Sequence, residues 1–161
     1  FLKHWESLNR QHSIIDYSVK WTNGKANKFE TTWLLRNGID LETAGNTIKL
    51  ALYTSQATLS AATTSYTTDN EVAASGQYVA KGGTLQSQQV SLDTGVAIVD
   101  FADLSFTGVT LTARGALIYN STQANKAICA LDFGSDKTAT SGTFTIQFPA
   151  FTSTSAILRI A

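Results

Sequence analysis

The chain has 161 residues, 43% of them hydrophobic and 15% charged, with twelve charges of each sign and no net charge. A chain of this length buries about 68–70% of its unfolded surface and folds without staples, while its neutrality argues against a general nucleic-acid or anionic-membrane binder, both of which need basic stripes. The single Cys129 excludes an intrachain disulfide and a multi-cysteine zinc site, and no apolar run approaches the roughly 20 residues that span a bilayer.

The first 46 residues stand apart. They hold eleven charged residues, both His and all three Trp. FLKHWESLNRQH places Phe1, Trp5, Leu8 and His12 on the stripe of a short amphipathic helix, and KFETTWLLRNG places Phe29, Trp33 and Leu34 similarly, with Gly38 positioned to stop it. No signal-peptide pattern opens the chain, which begins at Phe1 rather than Met, as a processed or trimmed start does. A segment this short cannot build its own core. It is expected to dock, with Phe1, Trp5, Trp21 and Trp33 as candidate interface residues, because Trp is enriched among binding anchors.

From residue 47 onward, 19 Thr and 12 Ser accompany only thirteen charges. Thr favours strands and Ser the turns between them. TIKLALYT (47–54) alternates Ile48, Leu50 and Leu52 against Lys49, Ala51 and Tyr53, which is period two. The Ser/Thr-rich stretch 54–76 is long for a connection and reads as a surface loop or an extended arm. Further strands are expected over 84–92, 96–101, 109–119, 126–133, 142–148 and 155–161, with Asp93-Thr94-Gly95 as a hairpin turn and Pro149 just past a strand end. Strands at short intervals without helix-length gaps predict a mainly β fold, an antiparallel β-sandwich, barrel or jelly-roll-like domain over 47–161, preceded by the short helical or extended segment 1–46.

Motifs with possible chemistry are weak. Asp93-Thr94-Gly95 matches the loop of retroviral-type aspartic proteases, where two such loops pair their carboxylates. A strand turn wants the same residue types. Asp132-Phe133-Gly134 copies a kinase tripeptide without its companion loops. His12, Ser13 and Asp16 lie too close along the chain for a converging triad, and His4 and His12 lack a carboxylate in metal-ligand register. Asn120-Ser121-Thr122 is a formal glycosylation sequon, and Lys81-Gly82-Gly83 lacks the rest of a phosphate loop. Cys129, between Ile128 and Ala130, reads as a small buried hydrophobe. No catalytic, cofactor-binding or metal-ligating residue is predicted.

Arg114 is the exception to an otherwise bland pattern. In TARGALIYN (112–120), one face carries Leu111, Ala113, Gly115, Leu117 and Tyr119, so Arg114 shares the other with Thr112, Ala116 and Ile118. Both faces look apolar, which predicts a buried guanidinium in an internal clamp with Asp100 or Asp132. The alternative is an Arg114 that reaches a neighbouring subunit.

The strand sequences, taken in order, carry a resemblance. NGIDLETAGNTIKLALYTS (37–55), NEVAASGQYVAKGGTL (70–85), TARGALIYN (112–120) and LDFGSDKTATSGTFTIQF (131–148) resemble a family of small tailed-bacteriophage structural proteins. The match runs from about residue 26 to the end, and it departs from the family's Gly-Tyr-x-Ala-Gly-Gly block by an extra Gln77 and an extra Lys81. The resemblance implies a virion component without enzymatic activity or cofactor, assembled in the host bacterial cytoplasm. Its implied partners are other virion proteins, either the major capsid protein or tail and neck proteins, in a homo-oligomer, with neither nucleic acid nor membrane. A capsid decoration or cement protein is the first expectation, and a tail, neck or fibre part in host attachment the second. A dimeric aspartic protease using Asp93, and a carbohydrate-binding module using exposed Tyr53, Tyr66 and Tyr78, complete the field.

Overall fold

The structure is a computed structural model that describes residue 41 and residues 46–160. The expected N-terminal helices, the candidate interface residues Phe1, Trp5, Trp21 and Trp33, and the residues His4, His12, Ser13 and Asp16 lie outside the described residues. The fold class is as expected: the described residues are mainly β, form two antiparallel sheets and include no helix. Seven strands follow in chain order, β1 (Ile48–Tyr53), β2 (Gly83–Thr84), β3 (Gln89–Asp93), β4 (Val96–Asp100), β5 (Leu104–Asn120), β6 (Lys126–Ile146) and β7 (Leu158–Ile160).

The described residues gather into two compact units. The first, residues 47–84 and 104–146, holds a four-stranded sheet in the order β2-β1-β5-β6. β1 runs against β5 in unbroken register, Ile48 opposite Asn120 through Tyr53 opposite Gly115. The β1 alternation is real, yet both its faces are covered: Ile48, Leu50 and Leu52 are buried, and so are Ala51 and Tyr53. The reason is the 54–76 connection, which folds over the second face. Ala57, Leu59 and Tyr66 pack on a cluster of Ala51, Tyr53, Leu117 and Tyr119, with the Tyr66 ring stacked on Tyr119 at 4.9 Å.

β5 and β6 form a long hairpin joined by a turn over 121–125, which Asn120 leads into. The formal sequon is architectural here: Asn120 is buried, and its Oδ1 accepts the Thr122 and Gln123 N–H groups at 3.0 and 3.2 Å. The sequence predicts two strands where β6 is one. Residues 134–141 are polar and exposed apart from the half-buried Ala139, with positive φ at Gly134 and Ser141, so they read as a break. Register shifts against β5 absorb the irregularity instead, and the pairing continues through it.

The 84–92 strand divides the other way, into β2 at the edge of the first sheet and β3 in the second unit, with Ser87 at φ 52 between them. The second unit, residues 41, 46, 85–103 and 147–160, carries the sheet β3-β4-β7. Central β4 buries Ala97, Ile98 and Val99 in succession, as a strand covered on both faces must. The Asp93-Thr94-Gly95 turn is a two-residue hairpin: Asp93 pairs with Val96, and Thr94 and Gly95 both have positive φ.

Candidate functional site

Arg114 does not lie where the buried-clamp reading puts it. Its neighbours on the same face, Thr110 and Thr112, are exposed, while Ala116 and Ile118, opposite Leu52 and Leu50 of β1, are buried. Arg114 therefore stands at the border between solvent and cover. Its Nε donates to Asp132 Oδ1 at 3.0 Å, with the two side chains 42% and 70% exposed, so the pair is a surface contact through one nitrogen. Asp100 is not that partner. It sits at the end of β4 opposite Gln89, and its Oδ1 is buried without a hydrogen-bond partner among the described residues.

The sheet makes room for this arginine. Ala113 pairs with Lys137 and Gly115 with Asp132, so Phe133 to Asp136 bulge opposite Arg114. Asp132 holds the bulge closed, because its Oδ1 also accepts the Gly134 N–H at 2.8 Å. The Gly134 amide first, and the Arg114 guanidinium second, hold the Asp132 carboxyl below its ordinary range. The kinase-like tripeptide is thus a bulge with its own cap. Arg114 and Asp132 form one wall of a pocket of about 370 Å³, completed by Thr54, Ser55, Ala57, Leu59 and Ser60 of the connection and by Ala130 and Leu131 of β6.

A second constellation centres on Glu71, which sequence reasoning missed. Glu71 Oε2 accepts the Tyr66 hydroxyl at 2.6 Å, and Oε1 accepts the Tyr78 hydroxyl at 2.9 Å and the Lys81 N–H at 2.7 Å. The Tyr78 hydroxyl also accepts the Leu52 N–H of β1 at 2.8 Å, and Tyr119 donates to the Lys81 carbonyl at 2.8 Å. One carboxylate thereby ties the 66–81 connection to β1 and β5. The available signal is that Asp69 and Glu71 are the only acids between residues 47 and 92.

These bonds correct the carbohydrate-platform reading. Tyr53 and Tyr78 are fully buried and Tyr66 is half-buried against Tyr119, so the three rings offer no exposed row. Burial pushes the Tyr53 and Tyr119 phenols up to about 12. Lys81-Gly82-Gly83 leads into β2 rather than cradling a phosphate. The extra Gln77 has a use as well: its N–H donates to the Thr107 carbonyl at 3.1 Å and its Oε1 accepts the Thr107 N–H at 3.0 Å, opposite a register break in β5. Cys129 is buried, and desolvation raises its thiol to about 11, as an inert core cysteine requires. Among the described residues no group of three His, Cys, Asp or Glu could hold a metal ion.

Asp93 is engaged in the second unit. Its Oδ2 accepts the Ser153 N–H at 2.6 Å, and Thr94 bonds the Ser153 hydroxyl at 2.8 Å. The Ser153 amide lowers the Asp93 carboxyl from its ordinary 3.8. A depressed carboxyl contributes stability above that ordinary value and loses it as pH falls through the folded value. Urea midpoints measured from about pH 5 to 2 are therefore expected to fall less steeply in Asp93→Asn than in the parent chain.

No protein-family model, curated protein or solved structure matches this chain.

Proposed function

We propose that this chain is a structural component of a tailed-bacteriophage particle, a decoration or cement protein adhering to the head shell. The observation that carries this reading is the ordered set of four resembling blocks, together with what their residues do. The first block supplies β1, the second the Glu71 network and β2, the third the Arg114 end of β5, and the fourth most of β6. Their polar groups join backbone to backbone: Glu71 holds two tyrosines and the Lys81 amide, and Asp132 closes a bulge. Side chains committed to architecture suit a protein that presents surface rather than making bonds.

The sheet edge supports an adhesive role. Among the described residues β6 is one of the two outer strands of its sheet, and its stretch from Gly134 to Gly142 is largely exposed and rich in Ser and Thr. Such an edge is a template for pairing with another chain unless it is covered. In this reading the partners are other virion proteins and further copies of the chain in a closed oligomer, with no cofactor. Quantitative mass spectrometry of the purified particle tests it. Hundreds of copies support a head decoration protein, small multiples move the protein to the tail, neck or fibre, and absence from the particle overturns the proposal.

The aromatic N-terminal segment is the proposed anchor. Deleting residues 1–25 is expected to abolish incorporation into the particle while circular dichroism still reports a folded β-domain. Particles that retain the truncated protein at parental copy number refute that role.

A further inference from the structure

The resemblance assigns no ligand, yet the pocket beside Arg114 has the chemistry of one. Asp132 takes only the Nε of the guanidinium, which leaves both terminal nitrogens without a hydrogen-bond partner among the described residues. A guanidinium carries five N–H donors in a planar fork. Here one is used to fix its orientation and four remain at the wall of a concave site. The volume of about 370 Å³ falls at the small end of ligand pockets, which run from about 300 to 1,000 Å³.

The surroundings narrow the class of ligand. Asp132 Oδ1 serves both Arg114 and Gly134, and its exposed carboxylate brings the local charge of the pair to zero. A singly charged anion is tolerated there, whereas a doubly charged phosphate meets repulsion from Asp132. The free ends of the guanidinium match the two oxygens of a carboxylate. The same pocket is lined by Ala57, Leu59 and Leu131, which offer aliphatic surface, and by the exposed Ser55, which offers a hydroxyl partner. The β6 bulge is the independent sign, since bulges beside sites re-aim a side chain, and this one faces Arg114.

We propose that the pocket between the 54–60 connection and the β5–β6 hairpin binds a carboxylate on a small body with hydroxyl and aliphatic surface, anchored by Arg114. The carboxylate can come from a sugar acid or from an acidic amino-acid side chain, and the pocket chemistry is shared by both. This inference stands apart from the particle reading, because it is tested on the isolated protein.

The experiment is a ¹H–¹⁵N NMR titration of the full chain with glucuronate and with N-acetyl-aspartate α-N-methylamide, each of which carries one carboxylate. Glucose and N-acetyl-asparagine α-N-methylamide, both uncharged, and inorganic phosphate serve as comparisons. Saturable shifts at the Arg114 Nε–H and the Gly134 and Leu131 amides are expected from at least one of the two acids and from neither neutral compound. Arg114→Gln is expected to weaken binding at least about tenfold, and Arg114→Lys, which keeps the charge without the fork, to weaken it measurably too. Ser55→Glu, at an exposed position on the pocket wall, offers Arg114 an internal carboxylate and is expected to block the probe in a folded chain. A response to glucuronate alone identifies a sugar acid, and one to N-acetyl-aspartate α-N-methylamide alone an acidic side chain. No saturation with either acid, an equal response from the neutral compounds, undiminished binding in Arg114→Gln or Ser55→Glu, or tighter binding of phosphate overturns the proposal.

Discussion

Gly82→Ala is expected to cost more than about 4 kcal/mol, a large part of the roughly 5–15 kcal/mol that holds a domain of this size together. A Cβ at residue 82 falls 1.8 Å from the Leu50 carbonyl oxygen, 2.6 Å from its carbon and 2.7 Å from the Ala51 Cα. All three are backbone atoms of β1, which is itself fixed by β5, so no side chain can swing aside to accommodate the methyl group. The backbone at 82 also has φ +65, where an L side chain is strained by about 1–2 kcal/mol before any clash. Moving the segment is no escape. Lys81 is held by Glu71 at its N–H and by Tyr119 at its carbonyl, and Gly83 pairs directly with Leu50. Gly134→Ala supplies the control, since its φ is +75 but no atom lies within 4 Å of the added Cβ. Its expected cost is the conformational strain alone, about 1–2 kcal/mol. Urea unfolding followed by circular dichroism separates the two. Equal midpoints for the two variants contradict the close packing of residue 82 on β1.

That contrast also marks where sequence stops predicting structure here. β1, β4 and the core of β5 are legible because alternating apolar residues have to find a covered face, and Thr94-Gly95 is legible because a two-residue hairpin needs positive φ. β6 is not legible as one strand. Its middle third alternates nothing apolar, and the pairing that carries it past Gly134 and Ser141 is supplied by β5. Arg114 illustrates the same limit at the candidate site. Its face is exposed at Thr110 and Thr112 and buried at Ala116 and Ile118, and no local pattern in the strand marks where one gives way to the other. The tyrosines are the hardest case. In a Ser/Thr-rich run without period, nothing distinguishes an exposed ring from a buried one. Tyr66 and Tyr78 are held by one carboxylate whose three partners stand 5, 7 and 10 residues from it, a set of spacings that follows no single period.

Tyr78 is the second position where a large effect is expected, and its two substitutions separate hydroxyl from ring. Tyr78→Phe leaves the buried Leu52 N–H of β1 without its acceptor and takes one of three donors from Glu71. Stranding a buried donor costs about 1–3 kcal/mol. Tyr78→Ala adds the loss of a fully buried ring set edge-on against Phe106 at 5.1 Å, for a further cost of about 3–5 kcal/mol. Because the hydroxyl and Glu71 act on one another, Glu71→Ala combined with Tyr78→Phe is expected to cost less than the sum of the two. Additivity in that cycle contradicts the shared network. Alkali provides a separate readout. Burial foremost, and the Glu71 charge with it, raise the phenols of Tyr53, Tyr66, Tyr78 and Tyr119 above their ordinary 10.0. The folded state therefore holds those protons more tightly than the unfolded chain. The stability they contribute is complete below pH 10.0 and drains away as pH rises towards the folded values, which for Tyr53 and Tyr119 are about 12. Removing the Tyr78 hydroxyl removes one such proton, so Tyr78→Phe is expected to lose stability above pH 10 less steeply than the parent chain, from a lower starting level.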